Sequence, residues 1–181
     1  MSDLLIELFS EEIPARMQEI AAQQLKNKMV FYLAEEGLSE IIATAFSTPR
    51  RLTLFVNGIP EKSPDTREER KGPRIDAPQK AIDGFLRSVD LELDQLQIRN
   101  DGKVDKYFAL IETSGRASEE IIEKALEKTI KTFPWPKSMR WGSSSLRWVR
   151  PLQGILCILI KDDEPRIIDF EIEGIKSKSV T

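Results

Sequence analysis

The pattern that most limits the fold lies at the start of the chain, where the period of the apolar residues changes within a few positions. From Asp3 to Ser10 the period is two: Leu4, Ile6 and Leu8 alternate with Leu5, Glu7 and Phe9, as in a strand covered on one face and partly covered on the other. Glu11-Glu12-Ile13-Pro14 then places two acids and a proline where a helix opens. Beyond them Met17, Ile20, Ala21, Leu25, Met29, Tyr32 and Leu33 form one stripe of helical spacing down to Gly37. A strand, a tight junction and a long helix are expected. Glu11 and Glu12 have two readings: they complement the positive end of the helix, or they offer carboxylates to a cation or a ribose hydroxyl at the junction.

The rest of the chain repeats the mixture. Ile41–Phe46 and Leu52–Val56 are β-prone runs joined by Ser47-Thr-Pro-Arg-Arg51, so a hairpin is expected with Arg50 and Arg51 at or beside its tip. Residues 60–78 are polar and punctuated by proline, which reads as an extended connector. A short helix is expected from Ala77 to Val89, with a further turn over Leu91–Leu96. A hairpin follows, Gln97–Arg99 with Val104–Thr113, turning at Asn100-Asp101-Gly102. Ser118 stands where it would cap a second long helix whose stripe ends at Phe133 before Pro134. Val149–Ile160 reads as a central strand, Asp162–Pro165 as a turn, and Arg166–Glu173 as a strand with Ile168, Phe170 and Ile172 inward. The expected class is α+β, mainly antiparallel strands with two long helices, packed as one body or as two lobes. The division expected is a strand-helix-hairpin lobe over 1–59, a connector over 60–78, and a second α+β lobe over 79–181.

One stretch stands out chemically. All three tryptophans, Trp135, Trp141 and Trp148, fall between Pro134 and Arg150, interleaved with Lys137, Arg140, Arg147 and Arg150. No carboxylate occurs between Glu127 and Asp162, where seven bases do; the other 20 of the 27 bases face 30 acids. Such segregation suits a phosphate backbone and unpaired bases, and it equally suits an aromatic core with a solvated rim.

Several chemistries are excluded or disfavoured. The chain contains no histidine, which removes a Ser-His or Cys-His pair, a His general base and an imidazole-based zinc site from these 181 residues. The single cysteine, Cys157, lies inside the apolar run Gly154–Ile160 and is expected to be a reduced, buried thiol. That run is too short to span a bilayer and the first residues lack the order of a signal peptide, so a cytoplasmic location without membrane contact is expected. The adjacent acids Glu11 and Glu12 lack a second ligand cluster for a metal-dependent hydrolase.

Six blocks, in this order and spacing, carry a likeness: Leu5-Ile-Glu-Leu-Phe-Ser-Glu-Glu-Ile-Pro-Ala-Arg16, Phe46-Ser-Thr-Pro-Arg-Arg-Leu-Thr-Leu54, Lys71-Gly-Pro73, Pro136-Lys-Ser-Met-Arg-Trp-Gly142, Trp148-Val-Arg-Pro151 and Phe170-Glu-Ile-Glu-Gly-Ile175. Together they resemble the N-terminal part of the β subunit of the bacterial two-subunit glycyl-tRNA synthetases, departing from many relatives in the shorter Arg74–Pro78 stretch. The resemblance implies a share in joining glycine to tRNA(Gly) with ATP, within an α2β2 assembly whose catalytic core lies in the α subunit. It further implies that this chain holds no catalytic residue, metal or cofactor of its own, ATP and magnesium being used by the whole enzyme. An HD-like domain and an anticodon-binding region are expected farther along than Val180-Thr181. The residues it offers for contact with tRNA or the α subunit are Arg50, Arg51, Lys137, Arg140, Trp141, Arg147, Trp148 and Arg150, with Glu11, Glu12, Arg16, Arg70 and Lys71 as secondary candidates. A stand-alone nucleic-acid-binding or scaffold module without ligase activity is the alternative.

Overall fold

The computed structural model describes residues 1–100, 102 and 104–179; Asp101 of the expected hairpin turn, Lys103, Val180 and Thr181 lie outside the described residues. The chain forms two compact units, Met1–Ser63 with Arg116–Thr181, and Pro64–Gly115.

In the first unit β1 (Ser2–Ser10) leads through Pro14 into α1 (Ala15–Glu35), followed by the hairpin of β2 (Ile42–Thr48) and β3 (Arg51–Ile59). The alternation in β1 is realised in full: Ser2, Leu4, Ile6, Leu8 and Ser10 are buried, and the residues between them are half-buried. α1 begins at Ala15 with Pro14 as N-cap and no acid in its first turn. Glu11 and Glu12 therefore precede the helix and do not complement its dipole, which acts only within the first turn. Met17, Ala21, Leu25, Met29 and Leu33 of α1 join Leu4, Ile6, Leu8, Leu52, Leu54 and Val56 in one core.

The second unit contains β4 (Thr66–Arg74), α2 (Gln79–Val89), a single 3-10 turn (Leu93–Gln95), β5 (Gln97–Asn100) and β6 (Asp105–Thr113), its sheet ordered β4-β6-β5. β4 occupies the stretch expected to be a connector. It has no apolar alternation because every one of its residues is exposed or half-exposed; backbone pairing with β6 and ion pairs such as Arg67–Glu112 (3.0 Å) hold it instead. Gly72, at the irregularity in that pairing, has a physical reason: a Cβ there would meet the Phe85 ring of α2 at 2.5 Å.

The chain then returns to the first unit with α3 (Ser118–Lys131), the two-residue strands β7 (Met139–Arg140) and β8 (Arg147–Trp148), β9 (Leu152–Lys161), β10 (Glu164–Ile167), β11 (Glu171–Ile172) and β12 (Ile175–Lys178). Ser118 is the first residue of α3, not its cap: Ala117 holds the cap position, and the Ser118 hydroxyl donates to the Pro60 carbonyl at 2.6 Å. The strand expected over Arg166–Glu173 is broken into β10 and β11, with Ile168, Phe170 and Ile172 buried as expected.

The large sheet runs β11-β12-β9-β1-β3-β2, with β10 also on β9, and is antiparallel except for the short β12–β9 pairing. β1 sits between β3 and β9, registered with β9 from Asp3↔Ile160 to Ser10↔Leu152. By that register Arg116–Thr181 belongs with Met1–Ser63 in the first unit, because β9 pairs with the start of the chain. Among the described residues the architecture is α+β, with three helices and mostly antiparallel strands. Cys157 is buried opposite Ile6, and its burial pushes the thiol pKa up to about 12.

Candidate functional site

The sharp junction between β1 and α1 is stitched by backbone hydrogen bonds to two distant segments. Ser10 and Ile13 donate to the carbonyls of Arg50 (2.9 Å) and Pro49 (2.7 Å) in the β2–β3 turn, and Glu11 donates to Pro151 (3.0 Å) ahead of β9. The turn thereby places both of its arginines at the end of β1. Arg50 lies 4.9 Å over the Phe9 ring and pairs with Glu11 at 3.5 Å; Arg51 lies 4.8 Å from the same ring and pairs with Glu7 at 3.7 Å. Such exposed pairs contribute about 0–1 kcal/mol. They leave Arg50 and Arg51 charge-matched by neighbours, which weakens the phosphate clamp the hairpin suggested.

The tryptophans separate into interior and surface. Trp148 is 1% exposed and Trp135 9%, and with Phe133 they form an aromatic cluster: ring centroids are 4.7 Å apart for Phe133–Trp135, 4.9 Å for Phe133–Trp148 and 5.0 Å for Trp135–Trp148. Trp148 is thus a core residue, because the position after the exposed Arg147 points inward. Trp141 is half-buried, and its indole N–H donates to the Trp148 carbonyl at 3.1 Å, which fixes the ring.

Arg140 and Arg147 face each other across the ribbon of β7 and β8. Among the described residues neither is paired with a carboxylate; Arg147 donates to the hydroxyl and carbonyl oxygens of Ser138 at 3.4 and 3.3 Å. Lys137 is exposed and likewise lacks a carboxylate partner among those residues, while the Arg150 guanidinium donates to the Glu12 backbone carbonyl at 3.2 Å. The loop joining the two strands is fastened by a residue the sequence did not single out. Glu173 accepts from the Ser145 hydroxyl at 2.5 Å and from its N–H at 3.2 Å, and the hydroxyl, then the N–H, hold its carboxyl below the ordinary value. Its one advance sign was position, in the Phe170–Ile175 block.

Five sequence-singled residues converge. Glu11, Glu12, Arg50, Trp141 and Arg150, with Pro151, line an open pocket of about 450 Å³. Glu11 also accepts from Gln153 at 2.5 Å. Arg16 is elsewhere, beside Ile20, Phe133 and Trp135 on a smaller apolar pocket of about 280 Å³. Arg70 and Lys71 belong to β4 in the other unit, where Arg70 pairs with Glu68 at 2.7 Å, a bond that raises its already high pKa. Among the described residues there is no group of three or more Cys, Asp or Glu side chains placed to hold a metal ion, and no helix is long and apolar enough to cross a membrane.

Over residues 4–181 the chain matches the family described as glycyl-tRNA synthetase beta subunit. It is 55% identical over 181 residues to the glycine–tRNA ligase beta subunit of Ruegeria sp. (strain TM1040) and 54% identical to that of Paracoccus denitrificans (strain Pd 1222). Both alignments cover 100% of this chain and 26% of the relative, so the chain spans about a quarter of the length of the curated proteins it matches. The likeness assigns it to the aminoacyl-tRNA synthetase subunits. Within that class, it belongs to the glycyl-tRNA synthetase beta subunit family.

Proposed function

We propose that this chain is the part of a ligase subunit that positions tRNA(Gly) while glycine is attached to it with ATP, and that it supplies no bond-making residue itself. The observation that carries this reading is the opposition of Arg140 and Arg147, two cations side by side on an exposed ribbon with no carboxylate between them among the described residues. Like charges directly opposite across a strand pair repel, and a phosphate between them converts the repulsion into attraction that two guanidinium forks are shaped to use. Lys137 and Arg150 extend the same contact. Holding a tRNA in register raises its effective concentration at a catalytic centre on a companion alpha subunit, within an α2β2 assembly in the cytoplasm. ATP and magnesium are reagents of the whole enzyme.

The test is reconstitution of the full-length subunit with its alpha partner. The pair charges tRNA(Gly) and neither does so alone. The double substitution Arg140→Gln and Arg147→Gln raises the KM for tRNA while leaving the KM for glycine in place. An unchanged KM for tRNA contradicts the assignment.

A further inference from the structure

We infer that the pocket at the β1–α1 junction is a binding site for one unpaired ribonucleotide of an RNA strand, with the Trp141 ring against the base, Arg150 at the phosphate and the Glu12 carboxylate at the ribose 2′-hydroxyl. This rests on the tRNA reading above and names the part of the RNA that the pocket takes.

Three groups lining this pocket are left with capacity to spare. The Glu12 carboxylate makes no hydrogen bond or ion pair among the described residues; only its backbone carbonyl is used, by Arg150. Arg150 has no carboxylate partner among those residues, and the bond from its Nε to Glu12 leaves its terminal nitrogens for an anion. Trp141 is the one indole of the three that is neither in the core nor within a tenth of full burial, and the bond from its Nε1 to the Trp148 carbonyl holds the ring in place. The pocket floor is equally fixed, since the backbone bonds from Ser10, Glu11 and Ile13 join three separate chain segments there. Glu11 and Arg50 neutralise each other and act as frame.

The combination selects its ligand. A ring for stacking is indifferent to which base it meets, a guanidinium takes the phosphate, and an acceptor-only carboxylate takes a hydrogen-bond donor, which a ribose within RNA offers in its 2′-hydroxyl and a deoxyribose lacks. A base held in a duplex has both faces stacked, so the nucleotide must be unpaired. The volume of about 450 Å³ has room for one nucleotide.

The experiment measures binding of the full-length subunit to three labelled probes of equal length: a single-stranded RNA, the same sequence as DNA, and an RNA duplex. Trp141→Ala is expected to weaken single-stranded RNA binding roughly tenfold, with Trp141→Phe restoring most of it and duplex binding unaltered. Glu12→Ala, which removes the acceptor, is expected to remove the preference for RNA over DNA. Near-ultraviolet circular dichroism of each variant checks the fold. Unchanged single-strand affinity in Trp141→Ala, or an RNA preference that survives Glu12→Ala, overturns the inference, as does complete competition by inorganic diphosphate at nucleotide-equivalent concentration. If the Arg140 and Arg147 substitutions weaken tRNA binding while the pocket variants change nothing, the pocket assignment fails alone. If tRNA binding ignores both sets, the tRNA reading fails with it.

Discussion

Arg140 and Arg147 are directly paired residues of a two-stranded antiparallel ribbon, like charges in register with no carboxylate to separate them among the described residues. In isolation this arrangement costs stability, by about 0.2–1 kcal/mol on the scale of cross-strand pairs. Arg147→Gln is therefore expected to leave the melting temperature of the free protein unchanged or slightly raised, despite losing the bonds to Ser138. Thermal denaturation without RNA measures it. A clear loss of stability would mean that Arg147 is held for the fold and not for an anion.

Trp148 and Trp141 are expected to part company on truncation. Trp148→Ala removes the centre of the cluster with Phe133 and Trp135 and is expected to destabilise by roughly 3–5 kcal/mol, seen as a lower urea midpoint. Trp141→Ala, at a half-buried position, is expected to cost under about 1 kcal/mol.

Cys157 supplies an alkaline limit. Its thiol is pushed up to about 12 in the folded chain against 9.0 ordinarily, because burial penalises the thiolate. The unfolded chain loses that proton first as pH rises. The contribution is accordingly flat below about pH 9, and stability falls between there and about 12. At pH 8 a thiol-directed alkylating reagent is expected to modify Cys157 only on unfolding, and a Cys157→Ala variant is expected to lose this part of the alkaline decline.

Glu173 supplies an acid limit to the loop between β7 and β8. The Ser145 hydroxyl and N–H hold its carboxyl below the ordinary value of 4.5, so the bonding is fully present above that value and is lost as pH falls through the lower folded one. Hydrogen exchange at the Ser145 amide, corrected for intrinsic rate, is expected to lose protection over that acidic range. In Glu173→Gln the residual protection is expected to be independent of pH there.

The elements with strong periodicity were legible because one face of each meets a core. Leu4, Ile6 and Leu8 announced β1, the stripe from Met17 to Leu33 announced α1, and the run around Cys157 announced β9. β4 was not legible: Thr66-Arg-Glu-Glu-Arg-Lys-Gly-Pro-Arg74 buries nothing, and its pairing with β6 is made by backbone groups and charges that a composition-based reading takes for a connector. The pairing of β9 with β1 joins residues about 150 apart, beyond any local pattern.

The site divided along the same line. A base-rich, acid-free stretch was visible, and so was the likelihood of aromatic packing, yet nothing in the letters tells that Trp148 turns inward while Trp141 stays at the surface. That depends on the two-residue ribbon of β7 and β8, too short to leave a period. Likewise Glu12 and Arg150 become neighbours only because Glu11 bonds to Pro151 across the fold.

The most direct measurement is the salt dependence of tRNA(Gly) affinity for the full-length subunit, with and without the double substitution Arg140→Gln and Arg147→Gln. If both guanidinium groups meet phosphates, the log–log slope becomes shallower by roughly 1.4–1.8, about 0.7–0.9 for each contact removed. A slope and an affinity identical to those of the unsubstituted protein would contradict the account.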